Sequence, residues 1–171
     1  MIIGFFLVKT GGIEKIRNLE TIAWTTIVFG ILLFISDKFE MKKNIKDNFS
    51  LKSAIFIGLL QIFSLFPGVS RSGIAITAAR FLNFKRIDSA KISFLISIPI
   101  LGAVSGYGFF NILFSKEMSF AQINLIAIFF SFVFSFLTIK YFLRFLKKFS
   151  LNIFVLYRIL LGLLLLKLAY L

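Results

Sequence analysis

The chain has 171 residues, 59% of them hydrophobic, and a mean hydropathy of +0.98, which exceeds the apolar content of soluble domains and indicates an integral membrane protein. The formal net charge is +13, but Lys and Arg flank apolar runs, which favours contact with anionic lipid headgroups over a nucleic-acid-binding face. The absence of Cys and His excludes a disulfide framework, thiol catalysis and a histidine base or metal ligand within this sequence.

The first apolar segment, residues 1–9, is too short to span a bilayer, which needs ~20 residues. It lacks the basic region and cleavage site of a signal peptide. We interpret it as the remnant of a truncated membrane helix, which suggests that the chain is a fragment. The segment 21–36 (TIAWTTIVFGILLFIS) predicts the first span, with Trp24 near one membrane interface.

Three later apolar segments, at 92–114, 120–142 and 151–171, predict three further spans. Together with residues 51–84, which contain two apolar arms separated by PGVSRSG, they form a single membrane domain. The sequence therefore predicts an all-α integral membrane protein built as a multi-span helical bundle.

The charges of the flanking loops predict how residues 51–84 are arranged. Basic loops at 37–52, 85–91 and 144–148 belong on the cytoplasmic side by the positive-inside rule, so the chain leaves and returns on one side. The arms have about 16 and 11 residues, or roughly 24 and 16 Å as helix, which is too short for two crossings. We therefore expect a re-entrant helix hairpin with PGVSRSG at its tip.

The tip segment, Pro67–Gly73, has the composition of an irregular turn that opens a new helix. Pro67 ends the first arm because it lacks an N–H group and clashes with the preceding turn. Gly68 and Gly73 allow a positive φ or a close approach of another chain segment. Ser70 and Ser72 are candidate N-caps for the second arm. Irregular backbone at membrane depth is tolerated where it is buried in protein or lines a wet cavity.

Arg71 is the candidate functional residue of the tip segment. A helix N-terminus attracts anions, and a guanidinium adds forked donors suited to phosphate. Arginine inside a membrane costs ~2.5–3.5 kcal/mol on insertion scales, which favours a functional role. The alternative is that Arg71 pairs with carbonyl groups or a carboxylate and holds the hairpin closed. We expect Arg80 to extend toward the membrane interface, and Thr77 and Gln61 either to reach the tip cavity or to join helices.

Three stretches resemble the C-terminal half of the undecaprenyl-diphosphatase family, from about residue 22 onward: PGVSRSG, ISFLISIPILGA and FLTIKYFLRFLKKFSLNIFVLYRILLG. They match the family patterns P-G-x-S-R-S-G-x-T, F-S-F-L-x-x-I-P and F-x-x-Y-R. The chain departs from these patterns at Ala75, where the family has threonine, and at Ile92, where it has phenylalanine.

The resemblance implies a multi-pass phosphatase of the bacterial inner membrane, with an inverted-repeat fold of which this chain carries the second half. It would convert undecaprenyl diphosphate to undecaprenyl phosphate for peptidoglycan synthesis, an activity linked to bacitracin resistance. By the same likeness Arg71, Ser70 and Ser72 would be catalytic. Substrate would be bound by Arg71, Gly68, Gly73 and Thr77.

The family's other motif, E-x-x-x-E-x-L-P-x-S-S-T-G-H, does not occur in this sequence. The family implies a divalent cation such as Mg²⁺ or Ca²⁺, with ligands in a missing N-terminal half. We therefore expect the chain to be inactive alone, and a separately encoded N-terminal half is a candidate partner beside the polyprenyl diphosphate lipid. We interpret the carboxylates of this chain as solvated loop charges: Glu14, Glu20, Asp37, Glu40, Asp47, Asp88 and Glu117.

Two alternatives stay open from the sequence. Broken helices whose N-termini face an anionic substrate also occur in transporters, so the chain could be half of a lipid flippase or transporter. It could also be a non-functional fragment of the same family.

Overall fold

The computed structural model describes residues 18–114 and 118–171, and the side chains of these ranges outside 111–123. Segment 1–9, interpreted above as a helix remnant, lies outside the described residues. The regular elements of the described part are helices, listed in chain order: α1 (Leu19–Asp37), α2 (Ile45–Asn48), α3 (Leu51–Leu60), a 3₁₀ helix (Gln61–Leu65), α4 (Arg71–Phe81), α5 (Arg86–Phe114), α6 (Met118–Lys148) and α7 (Asn152–Ala169).

Helices α1, α5, α6 and α7 are long and apolar enough to cross a membrane. They overlap the segments from which the sequence predicts spans, and α5 begins at Arg86, ahead of the apolar run at 92–114. The outer faces of these helices carry many exposed aromatic and aliphatic side chains, Phe132 and Phe134 among them, as expected for surfaces in contact with lipid. The prediction of an all-α integral membrane protein is confirmed.

The hairpin arms are α3 with its 3₁₀ extension and α4, with the tip segment between them. Ser50 caps α3 by accepting a hydrogen bond from the Ser53 N–H at 3.3 Å. The 3₁₀ helix ends at Leu65, and Phe66 is extended, as the residue before a proline is expected to be. The return of the hairpin to the same membrane face, and its place in an inverted repeat, stay predictions.

Helix α4 lies at the centre of the fold, because every residue from Ile74 to Arg80 is buried. It packs against α1, α3 and α5. Small side chains at Ala75, Ala78 and Ala79 are fully buried and let the neighbouring helices approach closely. A helix of only 11 residues is thereby enclosed by its neighbours inside the bundle.

Helices α1 and α7 form a second close pair. A Cβ on Gly162 would overlap the side chain of Ile27, so glycine is needed for this contact. At the outer end of the pair Tyr170 donates a 2.6 Å hydrogen bond to Glu20, and this bond raises the pKa of the Tyr170 hydroxyl above its ordinary value.

The base of the hairpin, at the C-terminus of α4, contains a buried arginine. Arg80 is fully buried, and its guanidinium donates to the carbonyl oxygens of Phe84 at 2.6 Å and Asp37 at 3.0 Å, and to that of Phe39. The expectation that Arg80 extends to the membrane interface is therefore wrong. Carbonyl groups at the C-terminal end of α1 have no partner within that helix, and they accept hydrogen bonds from the Arg80 guanidinium in place of water.

Asp37 completes this ionic cluster, and the interpretation of Asp37 as a solvated loop charge is wrong. Its side chain is 4% exposed and accepts two hydrogen bonds from Arg86, at 2.7 and 2.8 Å, and one from the Leu151 N–H at 3.3 Å. The Arg80 Nε atom lies 3.5 Å from the same carboxylate. One carboxylate thus joins the ends of α1, α4, α5 and α7.

Of the other four carboxylates in the described residues, three are exposed as interpreted and one is not. Glu20, Glu40 and Asp47 are exposed, while Asp88 is largely covered, with its side chain 13% exposed and 3.9 Å from the Lys91 ammonium. The interpretation of Asp88 as solvated is wrong, because the first turn of α5 packs it beside Lys91. Glu14 and Glu117 lie outside the described residues.

Candidate functional site

The backbone of the tip segment is held in place by α1. The Thr25 hydroxyl donates to the Pro67 carbonyl at 2.5 Å. Gly68 has φ +87°, and a Cβ there would lie 2.6 Å from the Ile22 carbonyl oxygen and overlap the Thr25 hydroxyl. Only glycine satisfies both the positive φ and the close approach, so the expectation for Gly68 is confirmed.

Ser70 is the N-cap of α4, as predicted. It has extended backbone angles, and its hydroxyl accepts a hydrogen bond from the Gly73 N–H at 3.1 Å. Ser72 lies inside the first turn of the helix, with its hydroxyl 3.2 Å from that of Ser70. Within the described residues, the N–H groups of Arg71 and Ser72 have no hydrogen-bond partner. The helix thus presents two free donors and two hydroxyl groups at its positive end.

A cavity of about 210 Å³ opens beside this helix terminus and is lined by Arg71, Ser72, Ser93, Phe94, Ser97 and Leu101. The Arg71 side chain is exposed and forms neither an ion pair nor a hydrogen bond with any residue in the described ranges. The alternative in which Arg71 holds the hairpin closed through a carboxylate or carbonyl therefore has no support from these residues.

Arg158 of α7 is a second arginine at the same helix terminus, and the sequence reasoning missed it. Its Nη2 atom lies 2.7 Å from the position that a Cβ on Gly73 would occupy, and its Cβ lies 3.2 Å from the corresponding position on Gly30. Gly73 therefore allows the close approach that was predicted there. The sequence contains a signal for it, because Arg158 interrupts an apolar span and ends the F-x-x-Y-R pattern. Like Arg71, it is an arginine within a membrane segment, which favours a functional role.

The position of Arg158 is electrostatically unusual. A guanidinium is repelled by the positive end of a helix dipole, yet this one lies against the first turn of α4. No ion pair joins Arg158 to a carboxylate among the residues that the structure covers. Arg71 is the first residue of α4 and lines the cavity, whereas Arg158 is not among the residues that line it. The first turn of α4 thus has one positive charge of its own and a second beside it, an arrangement that an anion with more than one negative charge would stabilise.

Thr77 and Gln61 do not line the cavity. Thr77 is buried, and its hydroxyl donates to the Gly73 carbonyl one turn earlier in α4, at 2.8 Å. The Gln61 Nε2 atom is buried without a hydrogen-bond partner in the described part of the chain. Substrate binding by Thr77 stays a prediction, and its geometry favours a role in supporting the first turn of α4.

The described residues do not fit a divalent cation. Among them, no three Asp, Glu, His or Cys side chains come together as a ligand set. The most buried carboxylate, Asp37, is at the opposite end of α4 and is already bonded to Arg86 and to the Leu151 N–H.

The fold and the site define a class: a multi-pass α-helical membrane protein with two arginines at the N-terminus of a short buried helix. The chain belongs to the family of the bacitracin resistance protein BacA, whose family model matches residues 1–164. Its described residues include four membrane-length helices, and it is a multi-pass protein of the bacterial inner membrane.

Similar curated proteins carry the name undecaprenyl-diphosphatase. The protein of Pelagibacter ubique is 44% identical over 171 residues, which cover 99% of this chain and 66% of the relative. That of Jannaschia sp. is 36% identical over 99% of this chain and 64% of its own length. That of Elusimicrobium minutum is 43% identical over 85% of this chain and 55% of its own length. The chain thus spans somewhat less than two thirds of the relatives it matches.

Proposed function

We propose that this chain forms the diphosphate-binding part of an undecaprenyl-diphosphatase, which releases phosphate from undecaprenyl diphosphate and returns undecaprenyl phosphate to peptidoglycan synthesis. The observation that carries the proposal is the presence of two arginines at the first turn of α4: Arg71 lines the cavity, and the guanidinium of Arg158 lies against Gly73. The names of the curated relatives support the same substrate.

The site offers a diphosphate several complementary groups. The free N–H groups of Arg71 and Ser72 and the dipole of α4 favour phosphate oxygens at the helix terminus. The Ser70 and Ser72 hydroxyl groups lie 3.2 Å apart, so one of them can donate to the other, and the proton of the second is then available to donate to an anion. Two guanidinium groups would stabilise the charge that develops on the phosphate oxygens as the bond to the bridging oxygen breaks.

Hydrolysis also needs a group that activates the attacking water, and none of the described residues that line the cavity is a carboxylate or a histidine. We expect the two glutamates and the histidine of the family's other motif to act here from a second polypeptide or segment, together with the ligands of any Mg²⁺ or Ca²⁺. The role of this chain would then be binding, orientation and charge stabilisation.

Binding in lipid nanodiscs, followed by a phosphate-release assay, tests the proposal. We expect the chain to bind farnesyl diphosphate, a short prenyl analogue, and Arg71→Ala to weaken that binding at least about tenfold. Arg144→Ala is the matched control, because Arg144 is exposed on α6 and lies outside the cavity. Phosphate release is expected after addition of a separately expressed polypeptide that carries the E-x-x-x-E and S-S-T-G-H motifs.

Three outcomes would count against this proposal. Failure of the unmodified chain to bind the diphosphate removes its basis. Full phosphate release by the chain alone would show that the activating groups are its own. Binding without phosphate release in any mixture would favour the lipid flippase or transporter alternative.

A further inference from the structure

One face of α5 changes from polar to apolar as it leaves the helix terminus. Ser93, Ser97 and Leu101 are spaced four residues apart and all line the cavity, with Phe94 beside them. The row from Ser93 to Leu101 covers about 12 Å of helix, by a rise of ~1.5 Å per residue. Its polar end adjoins Arg71 and Ser72, and its apolar end is farthest from them.

The two serines of this row are not further anion ligands. The Ser93 hydroxyl donates to the Ser72 carbonyl at 3.3 Å, and the Ser97 hydroxyl donates to the Phe94 carbonyl at 2.7 Å. Each hydroxyl has only one proton, so both donors are already used within the protein. What remains toward the cavity is a weakly polar surface without charge, which offers a phosphate neither a cation nor a free donor but suits a hydrocarbon chain.

The dimensions of the cavity limit what it holds. Its volume of about 210 Å³ is below the ~300–1,000 Å³ of pockets that enclose a whole drug-sized ligand. Leu101, at the apolar end, is 54% exposed although it lines the cavity. The cavity is therefore open sideways at Leu101, toward the surroundings of a membrane-length helix.

Building on the proposed function, we infer that the α5 row Ser93–Ser97–Leu101, with Phe94, binds the first part of the prenyl chain and directs the rest into the bilayer past Leu101. An amphiphile whose diphosphate lies at Arg71 and the N-terminus of α4 needs a continuous apolar path that starts at its headgroup. The row is such a path: it adjoins the cationic terminus and carries no charge of its own. Ser93 and Ser97 would then face the ester linkage, and Phe94 and Leu101 the first isoprene units.

Leu101→Trp fills the open end of the cavity and tests whether prenyl-chain binding can be lost while diphosphate binding is kept. In nanodiscs we expect it to weaken farnesyl diphosphate binding about tenfold and to leave binding of inorganic diphosphate within about twofold. Leu101→Ala removes the contact without adding bulk, and we expect a loss of about threefold for farnesyl diphosphate only. The control is Ile98→Trp, since Ile98 is 60% exposed on α5 and outside the cavity lining.

The outcomes distinguish the inference from the function on which it rests. If Arg71→Ala weakens both probes but neither Leu101 variant affects farnesyl diphosphate, the inferred chain path is wrong and the diphosphate site stands. Equal weakening of both probes by a Leu101 variant with unchanged circular dichroism would also overturn the inferred path. If the unmodified chain binds neither probe, the proposed function fails and the inference fails with it.

Discussion

The guanidinium of Arg158 lies against the backbone of Gly73, with Nη2 2.7 Å from the position that a Cβ on Gly73 would occupy. This contact brings a charge from the last helix of the chain to the first turn of α4, which Ser70 caps. The contact also explains the need for a residue without a side chain at Gly73, whose φ is not positive. The contact makes the size of residue 73 and the position of Arg158 interdependent.

Replacement of Gly73 by alanine should disturb binding more than folding. The new methyl group meets the mobile end of the Arg158 side chain, which can shift, so we expect a small loss of thermal stability. The displaced guanidinium should weaken farnesyl diphosphate binding about tenfold, measured by titration in nanodiscs. Gly58→Ala is the control, because a Cβ there meets nothing within 4 Å, and it should leave affinity unchanged. Equal affinity of the Gly73→Ala and unmodified proteins would contradict this coupling.

Replacement of Gly68 by alanine should disturb folding instead. The methyl group meets the Ile22 carbonyl oxygen of α1 at 2.6 Å, and backbone cannot move aside as a side-chain end does. The φ of +87° adds a further ~1–2 kcal/mol for a residue with a Cβ. We expect a marked fall in the thermal unfolding midpoint, beyond that of Gly73→Ala. An unchanged midpoint would show that the tip segment does not rest on α1 as described.

Removal of the Arg158 charge should reduce the preference for diphosphate over monophosphate. We expect Arg158→Leu to weaken farnesyl diphosphate binding about tenfold and farnesyl monophosphate binding less, because the second phosphate group needs the second cation. Arg158→Lys should recover only part of the affinity, since lysine keeps the charge but lacks the forked donors. The measurement is the ratio of the two dissociation constants. A ratio unaffected by either substitution would place Arg158 outside the site.

Asp37→Asn should destabilise the protein without a direct effect on the tip segment. It leaves Arg80 fully buried and Arg86 partly buried without their carboxylate, and loss of one partner of a buried ion pair costs ~3–5 kcal/mol. We expect a large fall in the unfolding midpoint, whereas Asp47→Asn on the exposed surface should change it little. Similar midpoints for the two variants would mean that the cluster does not stabilise the fold.

The local features of the site were predictable from the sequence. Pro67, Gly68 and Ser70 act through their own backbone and the next few residues, so the end of the first arm, the positive φ and the N-cap could each be predicted from residue type. The four spans were predictable as well, because hydropathy is summed along about 20 consecutive residues.

The electrostatic partners were not predictable in the same way. Asp37 and Arg86 are 49 positions apart in the sequence, so nothing local indicates that they form an ion pair. From their immediate neighbours in sequence, Arg80 was predicted to reach the membrane interface and Asp37 to be a solvated loop charge. Thr25, which holds the Pro67 carbonyl, was missed for the same reason, although two consecutive threonines in an apolar helix are a signal of polar contact.

By itself, the sequence determined the class of protein, the membrane-length helices and the conformation of the tip segment, since these depend on local hydropathy and turn chemistry. Only the tertiary structure decided that Arg80 is buried at the base of the hairpin, that Arg158 lies against Gly73 at its tip, and that Ser93, Ser97 and Leu101 line one cavity. The physical reason is that charges and hydroxyl groups inside an apolar bundle take whichever partners the packing of distant helices brings within reach.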